Sequence, residues 1–123
     1  MVHRELSSFD DVRAARKQVG ALARAAGLQD PEAAVLAAGE LGNNCVEHGG
    51  GRPGLLRISR RQGRLSLHFE NPCQQRPDWR TRKPVAVAGL RTGGYGLEIA
   101  RALARSLNCR WKNGRLVVRA EFD

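Results

Sequence analysis

Apolar residues recur along this chain at two different spacings, and the changes of spacing divide it into elements. Val12, Ala15, Val19, Leu22 and Ala26 follow a helical period, predicting a helix that runs to about residue 26. Ser8, Asp10 or Asp11 can cap its start, and Gly27 suits a left-handed stop. Asp30-Pro31-Glu32 then reads as a fresh start, with a capping aspartate, proline at the first helical position and an acid in the first turn. This second helix carries Ala34, Ala37, Ala38, Leu41 and Cys45 on its core stripe and runs to about residue 48, where Gly49, Gly50 and Gly51 end it. The period then drops to two. Leu56/Ile58 and Leu65/Leu67/Phe69 alternate with polar neighbours, predicting strands over residues 55–60 and 64–71 joined by a turn at Arg61-Gln62-Gly63. Helical spacing returns with Leu97, Ala100, Leu103, Ala104 and Leu107, predicting a third helix over residues 95–107. Asn113-Gly114 marks a hairpin turn between strands over residues 108–112 and 115–122. Residues 3–7 form a candidate leading strand. Residues 72–92, with three prolines and several arginines, follow neither period and read as a long loop.

The order helix-helix-strand-strand-loop-helix-strand-strand predicts a mostly antiparallel sheet with helices on one face, a two-layer α+β sandwich. No internal repeat or boundary interrupts it, so residues 1–123 read as one domain. Aromatic residues make up only 5% of the chain, which leaves the core to Leu, Val, Ile and Ala. No apolar run approaches the roughly 20 residues of a membrane span, and the start lacks the apolar stretch of a signal peptide. Cys45, Cys73 and Cys109 are scattered, with no C-x-x-C spacing, so a reducing compartment, the cytoplasm, is expected. The net charge of +9 raises the question of nucleic acid. The arginines are spread along the chain with no interleaved aromatic residues, so nucleic acid is not the expected partner. Solvated faces, a polyanionic nucleotide and an acidic protein partner account for the charge better.

Two segments carry the candidate chemistry. In Gly39-Glu40-Leu41-Gly42-Asn43-Asn44-Cys45-Val46-Glu47-His48-Gly49, residues Glu40, Asn44 and His48 stand four apart, beside the core stripe of the second helix. Asn44 offers a neutral oxygen suited to Mg²⁺, which takes few protein ligands plus waters and phosphate oxygens. Glu40 can orient or deprotonate a nucleophile near a terminal phosphate. The spacing alone favours a solvated helix face. Gly39 and Gly42 each cost about 1 kcal/mol against Ala inside a helix, which points to close approach by something else or to tight helix–sheet packing. The second segment, Thr92-Gly93-Gly94-Tyr95-Gly96-Leu97-Glu98-Ile99, is a glycine cluster opening into a helix, where free backbone N–H groups can meet a phosphate. It is a weak motif by itself and gains weight from following the first segment in this order.

Together these segments resemble the GHKL (Bergerat-fold) ATPases. Glu40-Leu-x-x-Asn44-x-x-x-His48-Gly is similar to their N-box, and Gly94-Tyr95-Gly96-Leu97-Glu98-Ile99 to their second glycine box. The short length and the glutamate opening the N-box are most similar to anti-sigma factor serine/threonine kinases and their switch-kinase relatives. The resemblance implies a Bergerat-type sandwich that binds ATP and Mg²⁺. Asn44 would bind Mg²⁺, and Glu40 would be the general base toward a serine or threonine hydroxyl. Gly93, Gly94 and Gly96 would hold the phosphates, with His48, Asn71 and Leu97 completing the nucleotide contacts. Residues 72–92 would form the lid. From it Lys83 or Arg91 can reach phosphates, and Trp79 can either anchor a partner or fold back onto the core. The implied substrate is a STAS-type anti-sigma antagonist, a sigma factor or phosphatase is a further partner, and the family admits a homodimer.

One position departs from the family pattern. Its first glycine box has an aspartate for the adenine amino group, followed by glycines; here Asn71-Pro72 stands at that place and the glycines are absent. Asn71 can accept the same hydrogen bond without a carboxylate's charge, and Pro72 stiffens the expected hinge. That departure sustains an alternative, a non-catalytic interaction module with weak or lost nucleotide binding. The detached ATP-binding domain of a histidine kinase, without its phosphoacceptor helix, is a third reading.

Overall fold

The computed structural model describes residues 1–73 and 94–123. Its element order is β1 (Val2–Leu6), α1 (Phe9–Ala26), α2 (Pro31–His48), β2 (Gly54–Arg61), β3 (Arg64–Pro72), α3 (Gly94–Leu103), β4 (Ser106–Lys112) and β5 (Arg115–Phe122). The five strands form one antiparallel sheet in the order β1-β2-β3-β5-β4, so the leading strand is present and sits at an edge. The architecture is the expected α+β sandwich, with α1 and α2 packed on one face of the sheet.

Local chemistry sets most of the boundaries. Ser8 starts α1 by a reciprocal arrangement: its Oγ accepts from the Asp11 N–H, and the Asp11 carboxylate accepts from the Ser8 N–H, each at 3.2 Å. Gly27 ends the helix in the left-handed region at φ 76°. Asp30 caps α2 by accepting from the Ala33 N–H at 3.2 Å, with Pro31 in the first helical position. Asn113 and Gly114 both take positive φ, 53° and 75°, the pairing that a two-residue hairpin turn requires.

The core lies between the helices and the sheet. Leu65, Leu67 and Phe69 from β3, Leu56 and Ile58 from β2, and Leu41 and Cys45 from α2 are all buried in it. Each large apolar side chain so buried contributes about 1.5–3 kcal/mol relative to exposure.

Several boundaries differ from the sequence reading by a residue or more, and two of the differences have a clear physical reason. The third helix ends at Leu103 rather than near residue 107, and Leu107 lies in β4 opposite Ala120. Two periods overlap there. Leu107, Cys109 and Trp111 also alternate at a spacing of two, and sheet pairing prevails because the Arg105 N–H bonds the Glu121 carbonyl at 2.8 Å. Strand β3 also runs one residue further than expected, through Pro72 opposite Arg115. Its missing N–H disturbs no β2–β3 pairing, because that ladder ends with Glu70 opposite Leu55.

Candidate functional site

Helix α2 presents three faces, and each does something different. Ala34, Ala37, Ala38, Leu41 and Cys45 are buried in the core. Gly39 and Gly42 turn toward α1. A Cβ on Gly42 would lie 3.0 Å from a Val12 methyl, and one on Gly39 would lie 3.1 Å from the Arg16 side chain. These glycines therefore serve close helix–helix approach, rather than the helix–sheet packing or ligand contact their sequence positions also allowed. Glu40 and Asn44 are half-buried, while His48 is exposed at the end of the helix.

Asn71 is buried to 3% exposure at the end of β3, and it is the buried polar side chain among the described residues. Strand alternation turns it, like Phe69 and Leu67, toward the helices. Its Oδ1 accepts a long hydrogen bond from the Cys45 thiol, 3.8 Å away, and its Nδ2 donates to the Pro72 carbonyl at 3.2 Å. Cys45 directly follows Asn44, so the end of β3 meets α2 at the heart of the Glu40–His48 segment. Burial pushes the Cys45 thiol up to about 12, which keeps it protonated as a donor and unreactive as a nucleophile. Gly54, at the start of β2, permits this junction: a Cβ there would lie 3.0 Å from the Cys45 Cβ.

Just beyond Asn71 the chain is tied to the β4–β5 hairpin. The Cys73 N–H donates to the Gly114 carbonyl, and the Trp111 indole N–H donates to the Cys73 carbonyl, each at 2.8 Å. Pro72 and Cys73, the first two residues of the expected lid, are thus held to the sheet. Its remaining residues, with Trp79, Lys83, Arg91 and Gly93, lie outside the described residues. Gly94 opens α3, and Gly96 stands in its first turn. Helix α3 packs against α2, with Leu97 half-buried against the core.

Comparison with known families decides the membership, and comparison with solved structures bears on the fold. The profile of the histidine kinase-like ATPase domain matches residues 7–122, nearly the whole chain. The chain belongs to this family. Its fold is similar to part of the solved structure of the RsbU and RsbW domains of Rv1364c from Mycobacterium tuberculosis, with a TM-score of 0.64 at 16% sequence identity. That match covers 99% of this chain and 32% of the other, so this chain spans less than a third of that protein's length. No curated protein sequence matches it. The GHKL resemblance and the Bergerat-type sandwich are thus borne out, and membership in a family of ATPase domains implies nucleotide binding.

The donor set fits such a ligand. Asn71 keeps a carbonyl lone pair beyond its weak thiol bond, and Asn44 makes no side-chain hydrogen bond to another described residue. No group of three or more His, Cys, Asp or Glu side chains among the described residues is placed to hold a metal. A site for Mg²⁺ would therefore rest on few protein ligands and on phosphate, as that ion prefers. No helix among the described residues is long and apolar enough to cross a membrane.

The sequence reading missed a polar cluster on the other face of the sheet. His68, on the outward face of β3, is largely covered. Its Nε2 lies 2.8 Å from Arg57 Nη2 and 3.0 Å from Glu70 Oε1, and Arg115 reaches Glu70 Oε2 at 3.4 Å. The hydrogen bond from His68 and the nearby charges of His68, Arg57 and Arg115 hold the Glu70 carboxyl below its ordinary value. Alternation alone placed these residues on one face; only the cross-strand register, Arg57 opposite His68, brings them together.

Proposed function

We propose that this protein is an ATP-dependent serine/threonine kinase of the anti-sigma type, acting in the cytoplasm on a STAS-type antagonist protein. The observation that supports this reading is the junction of Asn71 with Cys45, next to Asn44, on a helix against which the Gly94-led α3 is packed. Asn71 would accept from the adenine amino group of ATP. Asn44 would hold Mg²⁺, which when bound neutralises phosphate charge. Backbone N–H groups of Gly93, Gly94 and Gly96 at the start of α3 would receive the phosphates, with His48 and Leu97 flanking the nucleotide.

Glu40 would take the proton from the substrate hydroxyl as that oxygen bonds to the γ-phosphorus. The bond from the γ-phosphorus to the bridging oxygen breaks, and ADP leaves with the electron pair. Such transfer depends mainly on positioning and charge neutralisation. A sigma factor or a phosphatase is a further candidate partner, and a homodimer a candidate assembly.

Asn71 also favours a second reading, because its amide is already engaged by Cys45 and Pro72. On that reading the chain is an interaction module whose nucleotide binding is weak or lost. Transfer of labelled phosphate from ATP to a STAS-type protein separates the two. Wild-type transfer that Glu40→Ala abolishes, with folding and ATP affinity intact, supports the kinase. Unchanged transfer by Glu40→Ala would overturn the base assignment, and no wild-type transfer would favour the module.

A further inference from the structure

The sheet face opposite α1 and α2 has no element of the described structure covering it, and its charge is far from even. One cross-strand row passes over all five strands as His3, Arg57, His68, Arg119 and Asn108. Arg61 and Arg64 stand opposite one another beyond it, and Arg110 and Arg115 lie on its other side. With strands about 4.8 Å apart, this face is roughly 19 Å wide. A cavity of about 470 Å³ opens in it, lined by Met1, Arg57, Arg61, Arg64, His68 and Arg119 among others.

The cations of this face are unequally engaged. Glu70 is shared by Arg57 at 3.1 Å and Arg115 at 3.4 Å, and Asp123 lies 3.8 Å from Arg64. Arg61 and Arg119 are exposed and have no carboxylate partner among the described residues. Arg57 donates to Glu70 and lies beside His68, yet its Nε is buried with no hydrogen-bond partner. An N–H in that state is costly until an acceptor reaches it.

We infer that this face docks an acidic segment of a partner protein, with a carboxylate entering the cavity between Arg57, Arg61 and Arg119. Guanidinium groups bind carboxylates through paired N–H donors, so charge and geometry agree. A second copy of the chain is a poor occupant, because a two-fold contact would set this arginine-rich face against itself. Nucleic acid fits less well too. Glu5, Glu70 and Glu121 stand among the cations, and no aromatic side chain occupies an outward position of the paired strands. The face is opposite helix α2, which carries Glu40 and Asn44, so the inference does not depend on nucleotide binding.

The test uses a fluorescein-labelled deca-glutamate peptide, followed by anisotropy with the full chain. Arg61→Glu/Arg119→Glu changes two exposed side chains and is checked for an unaltered thermal transition. Arg13→Glu/Lys17→Glu, on exposed positions of α1, is the control for net charge. The inference expects the sheet-face pair to weaken peptide binding at least about tenfold and the α1 pair to change it by much less. Equal losses in both variants, or no binding by wild type, would overturn it. Tighter binding of a DNA oligonucleotide of equal charge, lost only in the sheet-face variant, would reassign the face to nucleic acid. Dissociation of a wild-type dimer by the sheet-face pair in sedimentation would reassign it to self-association.

Discussion

Asn71 is where structure and proposed chemistry meet in one side chain. A buried amide is retained at a cost unless it bonds well, and its bond to Cys45 is long and weak. If Asn71 is there for a ligand, Asn71→Leu should leave urea stability within about 1 kcal/mol of wild type, because an apolar side chain of similar volume suits the site. ATP affinity should fall in the same variant. A severe loss of stability would mark Asn71 as structural. Glu70 makes a prediction of the opposite kind. Its carboxyl is held below its ordinary value of 4.5, so the stability it contributes is present above that pH and is lost as pH falls through the depressed value. Glu70→Gln should therefore melt below wild type at neutral pH, with the gap closing in the acid range below 4.5. A gap independent of pH would contradict the ionic account.

At the scale of elements, the α1–α2 contact is set by a glycine that fits a valine. Gly42→Ala gains about 1 kcal/mol of helix propensity. It also presses a methyl against Val12 at 3.0 Å, where overpacking of about 1–3 kcal/mol is expected. A net loss should follow in chemical denaturation, and Val12→Ala/Gly42→Ala should recover part of it, with a coupling of about 0.5–3 kcal/mol. Additive effects would show that the helices do not meet there. The period of apolar residues and the capping chemistry made these helices legible in the sequence, because both act over a few neighbouring residues. The end of α3 was not legible, since Leu107 satisfies a helical and a strand period alike and the choice falls to pairing with Ala120. The candidate site divides in the same way. Spacing exposed Glu40, Asn44 and His48 on one helix, but what Gly39 and Gly42 face, and the meeting of Asn71 with Cys45, depend on contacts distant in sequence.

For the whole molecule, the fold separates two surfaces. Helices α2 and α3 carry the candidate nucleotide residues on one side of the sheet, and the arginine-rich face looks the other way. A net charge of +9 can thereby serve a polyanionic nucleotide and an acidic partner without making them compete for one patch. The central claim is the proposal that the junction of β3, α2 and α3 binds ATP with Mg²⁺, with Asn71 in the role that the family resemblance gives to an aspartate. Calorimetric titration of the wild-type protein with ATP, with and without Mg²⁺, tests it most directly. The account predicts Mg²⁺-dependent micromolar binding, about −8 kcal/mol, whose metal-dependent part disappears in Asn44→Ala. No detectable binding at millimolar ATP would contradict it.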